Sequence, residues 1–110
     1  MTHIVRGSLK GSGEKFDGQW MIDSIIFKLT GEFNKSVPPF VVSSARLNYD
    51  DVSNLKGEYD IVFEASQSFV GVGDINLMFK NDDDLEFKIT GKLDDPIDER
   101  VSVNGFGKWP

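Results

Sequence analysis

The chain has 110 residues, 39% of them hydrophobic, no cysteine and a formal net charge of −6. That length suits one domain, which buries roughly 60 to 70% of the surface its unfolded form exposes and needs no staples; the missing cysteines exclude a disulfide framework, thiolate metal sites and cysteine catalysis. The charge is uneven: Glu58 to Glu99 holds twelve acids and three lysines, a net of −9, so nucleic acid is not an expected partner, whereas a basic protein is.

The opening, MTHIVRGSLKGSG, has no apolar run of about seven residues behind a basic region, so a secretory signal is not expected. No apolar stretch approaches the roughly eighteen residues of a membrane helix, and the default location is the cytoplasm. Val5, Gly7 and Leu9 mark a first strand. Gly11, Ser12 and Gly13 then signal a turn within Lys10 to Lys15. Trp20 and Ile22 differ in parity from Ile25 and Phe27, which calls for a bend or bulge near Asp23-Ser24. Ile25, Phe27 and Leu29 alternate with Ile26, Lys28 and Thr30, the period of two that marks a half-buried strand. Pro38-Pro39 blocks ladder hydrogen bonding and predicts a turn over Asn34 to Pro39. From Phe40 to Tyr49 the expected inner set is Val41, Ala45, Leu47 and Tyr49, with Ser43 a polar exception.

After a turn at Asp50 to Asn54, Tyr59, Ile61, Phe63 and Ala65 alternate cleanly with Glu58, Asp60 and Glu64. Phe69 to Lys80 breaks the pattern. Phe69, Ile75, Leu77 and Phe79 share a face with Gly71 and Gly73, while Val70, Val72 and Met78 take the other. A strand apolar on both sides is covered on both sides. Val70, Val72 and Met78 are therefore the expected surface for a second copy or another partner, with Ile26, Val42 and Val62 extending it, and a homo-oligomer is expected. Asn81 to Asp84 reads as a hairpin turn, because Asn and Asp tolerate positive φ and bond their own backbone. Leu85, Phe87, Ile89 and Leu93 alternate with Glu86, Lys88, Thr90 and Lys92; Asp94 to Glu99, with Pro96, forms the next turn, and Val101, Val103 and Gly105 the last strand.

These runs predict a single all-β domain over residues 1–110: an antiparallel meander of about seven to nine strands, closed as a small barrel or strongly twisted, with little or no helix. The expected core comprises Trp20, Ile25, Phe27, Leu29, Leu47, Tyr59, Ile61, Phe63, Ile75, Leu77, Phe79, Leu85, Phe87 and Ile89. Gly31, Gly57 and Gly91 recur in the form apolar-x-Gly-x-apolar, which favours sharp coiling over a flat sheet. Their intervals of 26 and 34 residues do not make a solenoid.

Little in the residue inventory points to catalysis. The sole histidine is His3, near the N-terminus, and no serine sits in a G-x-S-x-G elbow. Zinc lacks the His and Cys ligands it needs. Adjacent acids at Asp50-Asp51, Asp82-Asp83-Asp84, Asp94-Asp95 and Asp98-Glu99 are expected to be solvated and ionised, whereas a glycosidase needs two carboxyls across a cleft, one with a raised pKa. The acidic turns also lack the spacing of an EF-hand loop. Gly71-Val72-Gly73 and Gly105-Phe106-Gly107 are not followed by the helix a phosphate loop requires. No catalytic residue, metal or cofactor is expected.

Gly18-Gln19-Trp20 resembles the short G-x-W signature that opens the barrel of lipocalin-type and avidin-type ligand binders. The resemblance covers three residues, and it implies that Gly18 and Trp20, with Trp109, close one end of a barrel. Three functional readings follow. The first is a non-enzymatic, homo-oligomeric interaction domain whose acidic flank meets a protein partner. The second is a barrel holding a small apolar ligand, and the third a carboxylate-based enzyme.

Overall fold

The computed structural model describes residues 2–62, 64 and 68–110. Among the described residues eight antiparallel strands make one sheet: β1 (His3–Ile22), β2 (Ile25–Tyr49), β3 (Gly57–Ile61), β4 (Phe69–Val70), β5 (Asp74–Lys80), β6 (Glu86–Lys92), β7 (Val101–Ser102) and β8 (Gly105–Trp109). The chain is thus the all-β, antiparallel barrel the alternation predicts. One 3-10 turn, Val52–Asn54, follows β2; the Asp51 side chain caps it by accepting from Ser53 N. No helix among the described residues is long and apolar enough to cross a membrane.

Five strands close a ring. β2 pairs with β8, β8 with β3, β3 with β5, β5 with β6, and β6 returns to β2. β2 can serve as both ends of this ring because it is 25 residues long and bends: Thr30–Phe33 meet β8, while Arg46–Tyr49 meet β6. Along its other edge β2 pairs with β1 over nearly its whole length. β1 and β2 therefore form a long two-stranded ribbon, turned at Asp23 (φ 51°) and Ser24 (φ 67°). Two successive positive φ values suit the type I′ turn that matches strand twist. The parity change there marks a hairpin tip rather than a bulge.

Two other expected turns lie inside these strands. Gly11–Gly13 and Val37–Phe40 face each other across the ribbon, where three ladder shifts occur between Gly7 and Lys15. One shift sets two prolines, Pro38 and Pro39, against the single residue Ser12. The prolines interrupt ladder bonding, as expected, but a bulge absorbs them and the strand continues. A second shift, opposite Gly7 and Leu9, leaves Ser43 and Ser44 both outward. Parity flips across it, so Val42 and Phe40 are buried and Val41 is exposed, correcting the inner placement of Val41 and the outer placement of Val42.

The ring is filled by aromatic side chains. A connected series runs from Phe40 through Phe33, Phe16, Phe79 and Phe87 to Trp109 and Trp20, with neighbouring centroids 4.4 to 6.3 Å apart. Phe79 and Phe87 stack at 4.4 Å, and Tyr59 meets Phe87 edge-on at 4.8 Å. Such pairs add to the apolar area they bury. The Tyr59 hydroxyl donates to Asn54 O at 2.5 Å, and Trp20 Nε1 to Ala45 O at 3.0 Å, so both polar handles are satisfied. Gly31 shows why glycine recurs: a Cβ there would meet the ring of Phe16, its cross-strand neighbour, and the carbonyl of Phe106. Glycine under an aromatic ring lets the sheet coil tightly around its core.

The expected core holds with one exception among the described residues. Ile25 is 59% exposed, because it stands at the ribbon tip, beyond the layer that covers Phe27 and Leu29. Phe27 and Leu85 are partly buried against the core, and the other described members are buried. Phe63 and Ala65 lie outside the described residues.

Candidate functional site

Val70, Val72 and Met78 do not form one outer surface. Val70 is fully buried, Met78 is half-buried and Val72 is 50% exposed. The chain reverses between β4 and β5, where Gly71 N donates to Asp74 O at 2.6 Å. Val70 thereby becomes the direct partner of Ile75 and shares its inward face. Parity does not carry through a reversal, and the apparent two-faced strand is a hairpin. Phe69, expected inward, is half-buried with the Arg100 guanidinium 3.9 Å above its ring.

Exposed apolar side chains gather elsewhere. Ile4, Met21, Ile25, Ile26 and Val41 all lie on the ribbon, and among the described residues only Val52 and Val72 lie off it. Met21 and Ile26 are direct cross-strand partners on its outer face. The ribbon also bends back on itself. A Cβ on Gly7 would collide with Gln19 O, and one on Gly18 would stand 2.7 Å from Ser8 O, so the two ends of β1 touch backbone to backbone. Only glycine permits that approach.

Around this crossing run three adjoining clefts of about 320, 330 and 420 Å³. The first holds Arg6, Met21 and Ile26 and shares Ser8, Gln19 and Ser43 with the second. The second adds Gly18, Lys28, Leu29 and Thr30, and shares Lys10, Asp17 and Val41 with the third, which ends at Pro39, Phe40 and Asp95. The loop behind β6 is tied to this groove. Asp94 accepts from Ser43 N at 3.0 Å and from Ser43 Oγ, and Asp94 N donates to Val41 O at 2.8 Å. The Ser43 donors hold the Asp94 carboxyl below its ordinary titration range.

Gly18 thus lies on the groove floor, and Trp20 lies inside the core with its ring under Gly7. Trp109 meets Trp20 at 5.9 Å. His3 is exposed and lies 5.3 Å from the Tyr49 ring. The acidic turns are exposed, and among the described residues no group of three or more His, Asp or Glu is placed to hold a metal ion. Backbone and side-chain donation from Ser53 lowers the titration of Asp51, just as Ser43 lowers that of Asp94.

Sequence reasoning missed the groove. Its one visible signal was Ser43, the polar exception among inner positions, which marks the bulge where the wall forms. Comparison of the chain with protein-family models, curated proteins and solved structures finds no match.

Proposed function

We propose that this chain is a non-enzymatic protein-binding domain that receives an extended partner segment in the ribbon groove. The observation that carries the reading is the coincidence of three adjoining clefts with exposed Met21, Ile26 and Val41. Apolar anchors flanked by hydroxyls and mixed charges (Lys10, Asp17 and Lys28) suit a segment with alternating side chains. The partner is recognised through side chains rather than by strand addition. The bulges and charges of β1 blunt its open edge against simple pairing. Asp17 and Asp95 stand in the groove beside Lys10 and Lys28, so basic side chains of the segment would be met at these two carboxylates.

Two observations weigh against the other readings. The aromatic series occupies the barrel interior, where a small apolar ligand would have to sit. The carboxyls whose titration is displaced, Asp51 and Asp94, move downward, opposite to what a general acid needs.

The test is selection from a random peptide library on the immobilised protein, followed by mapping of amide shifts. Selected peptides should perturb residues 8–10, 17–19, 28–30 and 41–43. Val41→Asp should weaken them at least about tenfold, a loss of about 1.4 kcal/mol, with the thermal midpoint kept. Recovery of no peptide, or of peptides indifferent to Val41→Asp, overturns the reading.

A further inference from the structure

The outer face of the sheet formed by β1, β2 and β6 is cationic, although the chain as a whole is acidic. Arg6 and Arg46 stand directly opposite one another, and Arg46 is in turn opposite Thr90. Lys88, two residues from Thr90 on the same face, lies diagonal to Arg46 and pairs with Asn48. Like charges in directly opposed positions destabilise a sheet. Among the described residues none of these three cations has a carboxylate within 4.0 Å. Both arginines are exposed. A repulsive pair left without counter-charge in a chain of net −6 marks a surface whose counter-charge comes from another molecule.

The same chain presents the complement. The turn between β5 and β6 carries Asp82, Asp83 and Asp84, all exposed. It is braced from within. Asn81 Oδ1 accepts from Asp83 N and Leu85 N at 3.0 Å each, Asn81 N donates to Leu85 O at 3.0 Å, and Asp84 N to Asn81 O at 3.1 Å. A knob already held in one shape loses little conformational freedom on docking. The turn extends β5 and β6 beyond their last ladder pair, Lys80↔Glu86. Lys80 meets Asp84 at 3.5 Å, and among the described residues Asp82 and Asp83 have no cation within 4.0 Å.

We propose that the aspartate turn of one copy docks on the Arg6–Arg46–Lys88 face of another, head to tail. Arg6 also lines the first cleft of the ribbon groove, whereas Arg46, Lys88 and the aspartate turn lie outside all three clefts. Because the two surfaces differ, each added copy leaves one turn and one face free, so the assembly grows instead of stopping at a dimer.

Sedimentation velocity over a concentration series tests it, at about 20 mM and about 500 mM salt, since screening weakens such a contact. Average mass should rise with concentration at low salt and return to that of the monomer at high salt. Arg6→Glu with Arg46→Glu, and separately Asp82→Lys with Asp83→Lys and Asp84→Lys, should each remain monomeric. An equal mixture of the two variants should associate again, because both charges are swapped. Circular dichroism checks their folds, and Arg46→Gln and Asp83→Asn, each weakening association at least about threefold (about 0.65 kcal/mol), serve if a reversal unfolds. Val41→Asp should leave association unchanged. The proposal is overturned if the wild type is monomeric at every concentration in low salt. It is also overturned if association survives both reversals, or if the arginine face binds single-stranded oligonucleotide without self-association.

Discussion

The β5–β6 hairpin and the β1–β2 ribbon are both antiparallel pairs, yet their residues obey different rules. β5 and β6 pair through seven consecutive positions from Asp74↔Lys92 to Lys80↔Glu86 without a shift, and every second residue is buried. The ribbon shifts register three times, and its inward set changes parity between Val42 and Ala45. An unbroken ladder makes period two a reliable guide to burial. A bulge lets one strand turn the barrel corner, at the cost of that guide. The hairpin is mostly core, while the ribbon uses its irregularities to make a groove.

The sharpest test of this contrast is truncation at matched positions. Phe87→Ala, which removes a ring that touches Phe79, Tyr59 and Trp109, should cost about 3 to 5 kcal/mol in denaturant unfolding. A loss below about 1 kcal/mol would mean that the aromatic series does not fill the barrel. Next in size is Gly31→Ala. The new methyl must displace the Phe16 ring or the Phe106 carbonyl, and about 1 to 3 kcal/mol should be lost. Gly73→Ala is its control, since nothing lies within 4 Å of a Cβ there, and its unfolding midpoint should barely move.

Ile25→Ala separates the tip from the interior. At 59% exposure it should change stability by no more than about 0.5 kcal/mol. Leu77→Ala in β5, fully buried, should cost about 2 to 5 kcal/mol in the same assay. Equal losses would erase the distinction between the two regions.

The smallest effect belongs to the Ser43–Asp94 tie. Asp94 titrates lower in the folded chain than its ordinary value of 3.8, because the Ser43 hydroxyl and backbone N–H donate to it. Its contribution to stability is therefore present above that value and lost as pH falls through the lower, folded one. Ser43→Ala removes the Oγ donor and should move the Asp94 carboxyl titration upward, read by carbon-detected NMR, with stability at neutral pH nearly unchanged. An unmoved titration would show that the serine hydroxyl does not hold the loop to the groove.

Much of the barrel was legible because short strands between strong turn signals alternate faithfully. Leu77, Phe79, Phe87 and Ile89 needed nothing beyond period two, and the Asn81–Asp84 turn needed only the known backbone preferences of Asn and Asp, borne out by φ 62° at Asp84. Val70 was misplaced because a tight reversal looks, in one dimension, like an interrupted strand. The groove was invisible for a related reason: Ser8, Lys10, Asp17 and Val41 are brought together by the ribbon crossing itself, and no local spacing encodes that approach.

The amino-acid sequence by itself therefore determined the secondary-structure class, the acidic flank and most of the inward residues, since side-chain alternation and turn chemistry act over a few neighbouring positions. Tertiary structure alone decided which faces became surfaces. Bulges opposite Ser8 and Ser12 reset parity along β2, ring closure carried β8 between β2 and β3, and glycines at the crossing let two parts of β1 touch. Those outcomes depend on how distant strands pack, and packing is settled only when the whole core closes.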